Sequence, residues 1–97
     1  MTKAMAEKII RLIEIYDELH EQTNRAEQEA DRAMDAGEDW KNAEDIWDTC
    51  YSFEAAALKN AVTCLVLCTK RQIDKPTARR MITDHREELE KILRKAV

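Results

Sequence analysis

The sequence predicts an all-α fold, a three-helix up-down-up bundle in which the first two helices extend as an antiparallel coiled-coil-like hairpin. Only one Gly and one Pro occur in 97 residues, and charged residues make up 37% of the chain. Such a composition is typical of long helices. Apolar and small residues also recur every three or four positions along most of the chain, which is the periodicity of amphipathic helices. We therefore expect one helical domain spanning residues 1–97.

Helix one is expected from about residue 3 to residue 36. Its apolar and small residues recur in alternating steps of four and three, at Met5, Ile9, Leu12, Tyr16, Leu19, Thr23, Ala26, Ala30 and Ala33. This is the heptad spacing of helices that pack side by side. Because the row is bulky up to Leu19 and almost entirely alanine after Thr23, a neighbouring helix can approach closely in the second half but buries little area there.

Helix two is expected from about residue 40 to residue 72. Gly37 suits the position just after the end of helix one, and Thr2 and Asp39 suit the N-cap positions of the two helices. The short turn between the helices predicts an antiparallel hairpin. The segment Phe53–Cys68 is the most apolar run of the chain, so we expect it to be the buried centre of the bundle. It is shorter than the ~20 apolar residues of a membrane span, and we expect no membrane partner.

Helix three is expected from about residue 75 to residue 96, with Asp74 as its N-cap and Pro76 in its first turn. Its apolar side is formed by Ala78, Ile82, His85, Leu89, Ile92 and Ala96. Because helix three is the shortest, we expect it to cover residues 5–25 and 51–72 of the other two helices. The remaining, alanine-rich halves would then project as a two-helix hairpin.

Charge is distributed unevenly between the predicted hairpin and the predicted third helix. Residues 14–54 hold 14 acidic and 3 basic side chains, a net formal charge of −11, whereas residues 70–97 hold 9 basic and 5 acidic side chains, a net of +4. A solvated helical surface is the simplest interpretation. A docking surface for a basic protein is the functional one, because complementary charge accelerates association. The residues predicted to bind the partner are Glu27, Asp31, Asp35, Glu38, Asp39, Trp40, Glu44, Asp45, Trp47 and Asp48.

Trp40 and Trp47 lie seven residues apart on this acidic hairpin, opposite small and charged residues of helix one. Aromatic side chains with polar surroundings are typical anchors of protein interfaces. Two other arrangements would cover the rings: they could fill the space left by the facing alanines, or a homodimer could form through this side or through the rest of helix two.

These observations predict a non-enzymatic protein–protein interaction module, a small acidic adaptor or inhibitor. In size and charge the chain is similar to phage- and mobile-element-encoded inhibitors of nucleic-acid machinery, including anti-CRISPR proteins. The expected partner is therefore a basic protein such as a nucleic-acid-binding one. Direct nucleic-acid binding is not expected, because Glu87, Glu88 and Glu90 interrupt the basic residues of helix three. Three cysteines in helical sequence favour reduced thiols and a cytoplasmic location.

One enzymatic alternative involves Arg80 and His85, which are separated by four residues. The spacing resembles the R-x4-H motif that the all-α HEPN ribonucleases carry on a late helix. The resemblance covers six residues and implies that this pair acts on an RNA backbone, usually across a dimer. In the predicted helix three, however, His85 lies in line with Ile82 and Leu89 and faces the core.

A second enzymatic alternative involves two carboxylate pairs, Glu18-x-x-Glu21 on helix one and Asp45-x-x-Asp48 on helix two. The pattern resembles the signature of the MazG-like nucleotide pyrophosphatases. The resemblance implies that Mg²⁺ is bound by the carboxylates and holds the substrate phosphates. The expected register opposes it, because Glu21 would face about residue 55, ~15 Å along the helix from Asp45.

Cysteines and histidine provide a third constellation. Cys64 and Cys68 lie four residues apart, and the expected register places His85 near the level of Cys64. A zinc site would need a fourth ligand. Cys50 lies on the same side of the helix, which favours small packed core residues. We therefore expect no metal and no other cofactor.

Overall fold

The computed structural model describes residues 1–96, and these form four α-helices joined by short turns, with no β-strand among them. The helices are α1 (Lys3–Asp35), α2 (Trp40–Cys68), α3 (Lys75–Thr83) and α4 (Arg86–Ala96). The prediction of an all-helical fold is confirmed. The molecule measures 52 × 20 × 18 Å, and its long dimension matches the length of α1 at ~1.5 Å per residue.

Polar caps define the ends of the two long helices, as the sequence predicted. The Thr2 hydroxyl accepts a hydrogen bond from the Met5 N–H at 3.2 Å, and the Asp39 carboxylate accepts one from the Asn42 N–H at 3.4 Å. Gly37 follows α1 with a φ of +70°. Left-handed backbone of this kind costs glycine little because it has no Cβ, so the chain reverses sharply and starts α2.

The helices α1 and α2 pack against each other more extensively than any other pair. Their register is marked by His20 of α1, whose Nδ1 lies within hydrogen-bonding distance of the Glu54 carboxylate of α2. A residue n of α1 therefore lies opposite about residue 74 − n of α2. No helix within residues 1–96 combines the length and apolar composition that crossing a bilayer requires.

The hydrophobic core lies at one end of the α1–α2 pair, where α3 and α4 pack against it. Its largest fully buried side chains are Ile9, Leu65, Ile82 and Leu89. Its members come from all four helices, but residues 20–56 contribute none of them. We call residues 1–19 and 57–96 the base, and residues 20–56 the arm. In the arm the buried side chains are small: Thr23, Ala30 and Ala33.

The end of α2 differs from its prediction, since the helix stops at Cys68 and not near residue 72. Thr69 follows, and its hydroxyl donates to the backbone carbonyl four residues earlier at 2.9 Å. Lys70 and Arg71 then have left-handed φ values of +52° and +64°. The periodicity of the sequence did not indicate this turn, because neither position holds the glycine that such backbone favours.

The predicted third helix is divided into α3 and α4. Asp84 ends α3, and His85 is exposed at the break rather than facing the core. The side chain of Arg86 stabilises the break: its Nε donates to the Ile82 carbonyl at 2.7 Å, and its guanidinium binds both carboxylate oxygens of Asp17 at 2.7 and 3.0 Å. Ala96 consequently lies near Met1 and Cys68, so α4 turns back instead of continuing along α2.

The apolar run of α2 is covered on only part of its circumference. Ala57, Ala61 and Leu65 are buried, whereas Phe53 is 61% exposed and Leu67 is 58% exposed. The expectation that the whole run is a buried centre is therefore wrong for one side of the helix. That side is not covered by α3, which packs near Leu58 and Val62.

Candidate docking site on the arm

One row of side chains on α2 carries most of the arm's aromatic residues. Trp40, Glu44, Trp47, Tyr51 and Glu54 recur in steps of four and three residues, so they lie on one side of the helix. Trp40 is 37% exposed and Tyr51 is 60% exposed, while Trp47 is half-buried. The rings therefore present apolar surface to solvent instead of filling a core.

A second row on α1 lies beside the first. Its members, also spaced by four and three residues, are His20, Asn24, Glu27, Asp31 and Met34. The contact between His20 and Glu54 joins the two rows, and the register places Glu27 near Trp47 and Met34 near Trp40. We call these two rows together the acidic-aromatic face.

Where this face meets the base, side chains of α1 and α2 contact each other. The rings of Tyr16 and His20 stack with their centroids 5.8 Å apart, and the Glu54 side chain beside them is only 12% exposed. Burial raises the pKa of the Tyr16 hydroxyl, and the negative charges of Glu54 and Asp17 raise it further. These contacts fix the position of α1 against α2 where the arm begins.

Two of the three basic side chains of the arm form ion pairs with carboxylates of the arm itself. Arg32 binds Glu29 and Glu38, the latter at 3.0 Å, and Arg25 binds Glu21 at 2.5 Å. Hydrogen bonds to these carboxylates raise the pKa of Arg32, and the bond from Arg32 lowers the pKa of Glu29.

Three carboxylates of the acidic-aromatic face, in contrast, have no basic partner within 4.0 Å in residues 1–96: Glu27, Asp31 and Glu44. The remaining cation of the arm, the Lys41 ammonium, lies 5.8 Å from the Trp40 ring centroid. The face therefore carries negative charge that the described chain leaves unpaired.

The structure divides the ten predicted partner-binding residues into three groups. Five belong to the acidic-aromatic face: Glu27, Asp31, Trp40, Glu44 and Trp47. Three lie at the turn, where Asp39 caps α2 and Glu38 pairs with Arg32, next to Asp35. Asp45 and Asp48 are exposed outside the row of Trp47. All ten remain predictions.

The predicted partner-binding residues omit five members of this face: His20, Asn24, Met34, Tyr51 and Glu54. Tyr51 and Met34 are the two with large exposed apolar side chains. Tyr51 is 60% exposed four residues after Trp47, and Met34 is 56% exposed beside the turn. The spacing of Tyr51 from Trp47 was a usable signal, since side chains four residues apart are neighbours on a helix. Met34 could be found only from its position opposite Trp40.

The residues of the enzymatic alternatives do not converge. Arg80 lies in α3 and His85 lies at the break between α3 and α4, and both side chains are exposed. The observed register places Glu21 near the level of Phe53, roughly eight residues or ~12 Å along the helix from Asp45. Nowhere in residues 1–96 do three His, Cys, Asp or Glu side chains come close enough to hold a metal ion.

The cysteines are small packed residues of α2. Cys50, Cys64 and Cys68 are free and half-buried, and the Sγ atoms of Cys64 and Cys68 lie 3.8 Å apart. Burial and the contact with Cys68 raise the pKa of the Cys64 thiol. A raised pKa keeps the thiol protonated and lowers its reactivity.

Comparisons of the chain with protein-family models, with curated proteins and with solved structures find no match. The functional proposal therefore depends on the geometry and charge of the chain's own residues. Of these, the acidic-aromatic face combines the exposed rings of Trp40 and Tyr51 with unpaired carboxylates.

Proposed function

We propose that this protein is a non-enzymatic interaction module, an adaptor or inhibitor whose arm projects from the base and docks on a basic protein. The observation that carries the proposal is the acidic-aromatic face, where exposed Trp40 and Tyr51 lie among carboxylates that no described basic side chain pairs. Buried aromatic anchors supply much of the binding energy of protein interfaces. The surrounding charge steers the partner and selects against acidic proteins.

The shape of the arm suits insertion into a concave surface. The arm consists of two helices that pack closely because small alanine side chains lie between them. It is therefore narrower than the base, to which all four helices contribute. A narrow acidic rod fits a basic groove of the kind that binds a nucleic-acid backbone, whose repeated negative charges attract Lys and Arg side chains. We therefore propose nucleic-acid-binding machinery as the partner class, with occupation of its groove as the mechanism of inhibition.

Affinity capture from the native cell, performed at low and at high salt, tests the proposal. A basic partner should be captured at low salt and released at high salt, because salt screens exposed charges. The double variant Glu27→Lys with Asp31→Lys should lose the partner at both salt concentrations. Truncation of Trp40 and Tyr51 to Ala should weaken binding by about tenfold or more, as expected for interface anchors.

A matched control separates local charge from net charge. Glu7→Lys with Glu90→Lys changes the net charge of the chain equally, but both residues are exposed on the base. This control should retain the partner. If both double variants lose the partner equally, the effect is one of net charge and is not specific to the arm. If the variant with Glu27→Lys and Asp31→Lys keeps the partner, the arm does not dock on it.

A further inference from the structure

The α1–α2 pair has a second long side, facing away from α3 and α4. There the half-buried Leu12, Ile15 and Leu19 form a groove with Phe53, Ala56, Ala57 and Asn60. We call it the open groove. Exposed apolar side chains continue it in both directions along α2, since Ile46 is 52% exposed and Leu67 is 58% exposed. No part of residues 1–96 covers this side.

The spacing of these side chains is that of a helix-packing surface. On α2, Ile46, Phe53, Asn60 and Leu67 recur every seven residues, and on α1 Lys8, Leu12, Ile15 and Leu19 recur in steps of four and three. Side chains with this spacing form one continuous row along the helix, and such rows typically pack against a neighbouring helix. Exposed apolar surface of this extent is uncommon on an isolated soluble domain. The occupant expected from the pattern is itself a helical pair.

Charge along the open groove changes sign from one end to the other. At the base end Lys8 lies near Cys64 of α2, close enough for its positive charge to oppose the increase in pKa that burial causes in that thiol. At the arm end Glu29, Glu38 and Asp39 line the continuation of the groove beside Ile46. Arg32 pairs with the first two, so these carboxylates outnumber their basic partner and this end keeps a net negative charge. Asp45 lies on this side as well, because it precedes Ala56 by three helical turns. Each end is thus complementary to the opposite end of an identical molecule.

We propose that a second copy of this chain docks antiparallel on the open groove, so that each arm lies against the base of the other copy. A two-fold axis near Leu19 and Phe53 brings these residues together with their equivalents at the centre. Lys8, eleven residues from Leu19, then lies level with about residue 30 of the partner chain, next to the partner's Asp45. Such an isologous contact uses the same surface twice, as most homodimers do.

This dimer leaves the acidic-aromatic face free, because that face lies on the other side of α1 and α2. Tyr51 and Phe53 illustrate the division: they are 60% and 61% exposed, two residues apart, and belong to opposite sides of α2. The inference therefore does not depend on the proposed function. A dimer through the tryptophans would instead bury the docking site.

Sedimentation equilibrium over a range of micromolar concentrations tests the dimer, with circular dichroism to monitor helix content. The wild-type chain should sediment with the mass of two chains. Phe53→Glu should weaken the dimer by at least tenfold, and Leu67→Gln should weaken it to a smaller extent. The control Tyr51→Glu adds the same charge at equal exposure and should remain dimeric. A monomeric wild-type chain, or a dimer that Tyr51→Glu disrupts and Phe53→Glu does not, overturns the proposal.

Charge exchange tests the antiparallel arrangement. Lys8→Glu and Asp45→Lys should each weaken the dimer at low salt, because each places like charges opposite one another. Combined in one chain, the two substitutions restore opposite charges at both symmetric contacts and should recover most of the lost affinity. A dimer that is indifferent to both single substitutions, or a double variant weaker than either one, contradicts this arrangement.

The two surfaces can also be separated by one pair of variants. Phe53→Glu should lose the dimer and keep the basic partner, whereas Tyr51→Glu should keep the dimer and lose the partner. Failure of the first result rejects the open groove as the dimer interface. Failure of the second rejects the acidic-aromatic face as the docking site.

Discussion

The base and the arm are built from the same two long helices but bury very different side chains. In the base, Ile9 and Leu65 are fully buried beneath α3 and α4, together with Ile82 and Leu89 from those helices. In the arm only threonine and alanine side chains are buried. Burying a leucine or isoleucine contributes roughly 1.5–3 kcal/mol, whereas an alanine methyl contributes far less. The base therefore supplies most of the free energy of folding.

This difference agrees with the separate tasks that we propose for the two regions. A region that buries little apolar surface contributes little to stability. Stability therefore places few constraints on its exposed side chains, which are free to form a binding surface. The arm carries most of the acidic side chains and both tryptophans. Its alanines keep α1 and α2 close, and its ion pairs hold the turn. The arm thus presents a surface whose position the base determines.

The largest expected effect comes from truncating the core of the base. Leu65→Ala should lower the free energy of unfolding by about 2–5 kcal/mol, because it leaves a cavity at a fully buried site. Leu67→Ala, two residues later and 58% exposed, should change it by less than about 0.5 kcal/mol. Urea unfolding at dilute, monomeric concentration measures both. Similar losses for the two leucines would mean that the open side of α2 is covered within one chain.

An intermediate effect is expected from enlarging the seam of the arm. Ala33 is 3% exposed between the two helices, so Ala33→Leu should force them apart and cost about 1–3 kcal/mol. Ala36→Leu, at an exposed position in the turn, serves as the control and should be nearly neutral. Urea unfolding again gives the free energies. If Ala33→Leu proves neutral, α1 and α2 are less closely packed in the arm than in this structure.

The smallest expected effect on stability comes from the N-cap of α3, one of the two helices that cover the core of the base. The Asp74 carboxylate accepts a hydrogen bond from the Thr77 N–H at 2.9 Å. Hydrogen bonds from Thr77 lower the pKa of Asp74 below its ordinary value of 3.8.

The contribution of this cap is therefore fully present above pH 3.8 and is lost as the pH falls through the lower folded-state pKa. Asp74→Asn keeps a capping side chain that does not titrate, so its acid unfolding should depend less on pH than that of the wild type. Thermal unfolding from pH 6 to pH 2 measures this. Identical pH profiles for the two proteins would show that the cap does not contribute.

Local features of this fold were predictable from the sequence because they depend on a few adjacent residues. Thr2, Asp39 and Asp74 cap helices as expected, and Gly37 adopts the left-handed backbone that ends α1. The spacing of small residues along α1 likewise predicted its close packing with α2. Each of these signals is contained within one or two turns of helix.

Features that depend on distant contacts were not predictable. The apolar periodicity of helix three continues through Thr83–His85, so it gave no sign of the break. The break is stabilised by Arg86 reaching Asp17, 69 residues away. The exposure of Phe53 was missed for a similar reason, since apolar character alone does not show which sides of α2 its neighbours cover. The acidic residues of the arm were recognised, but only the register revealed which of them share a side with the tryptophans.

Amide hydrogen exchange of the free protein tests the contrast between base and arm most directly. Exchange rates report the free energy of local opening, which follows buried apolar contact. At concentrations that keep the chain monomeric, amides between residues 22 and 50 should exchange at least about tenfold faster than those of residues 57–66. Equal protection in both regions would contradict the account, because it would show that the arm folds with the stability of the base.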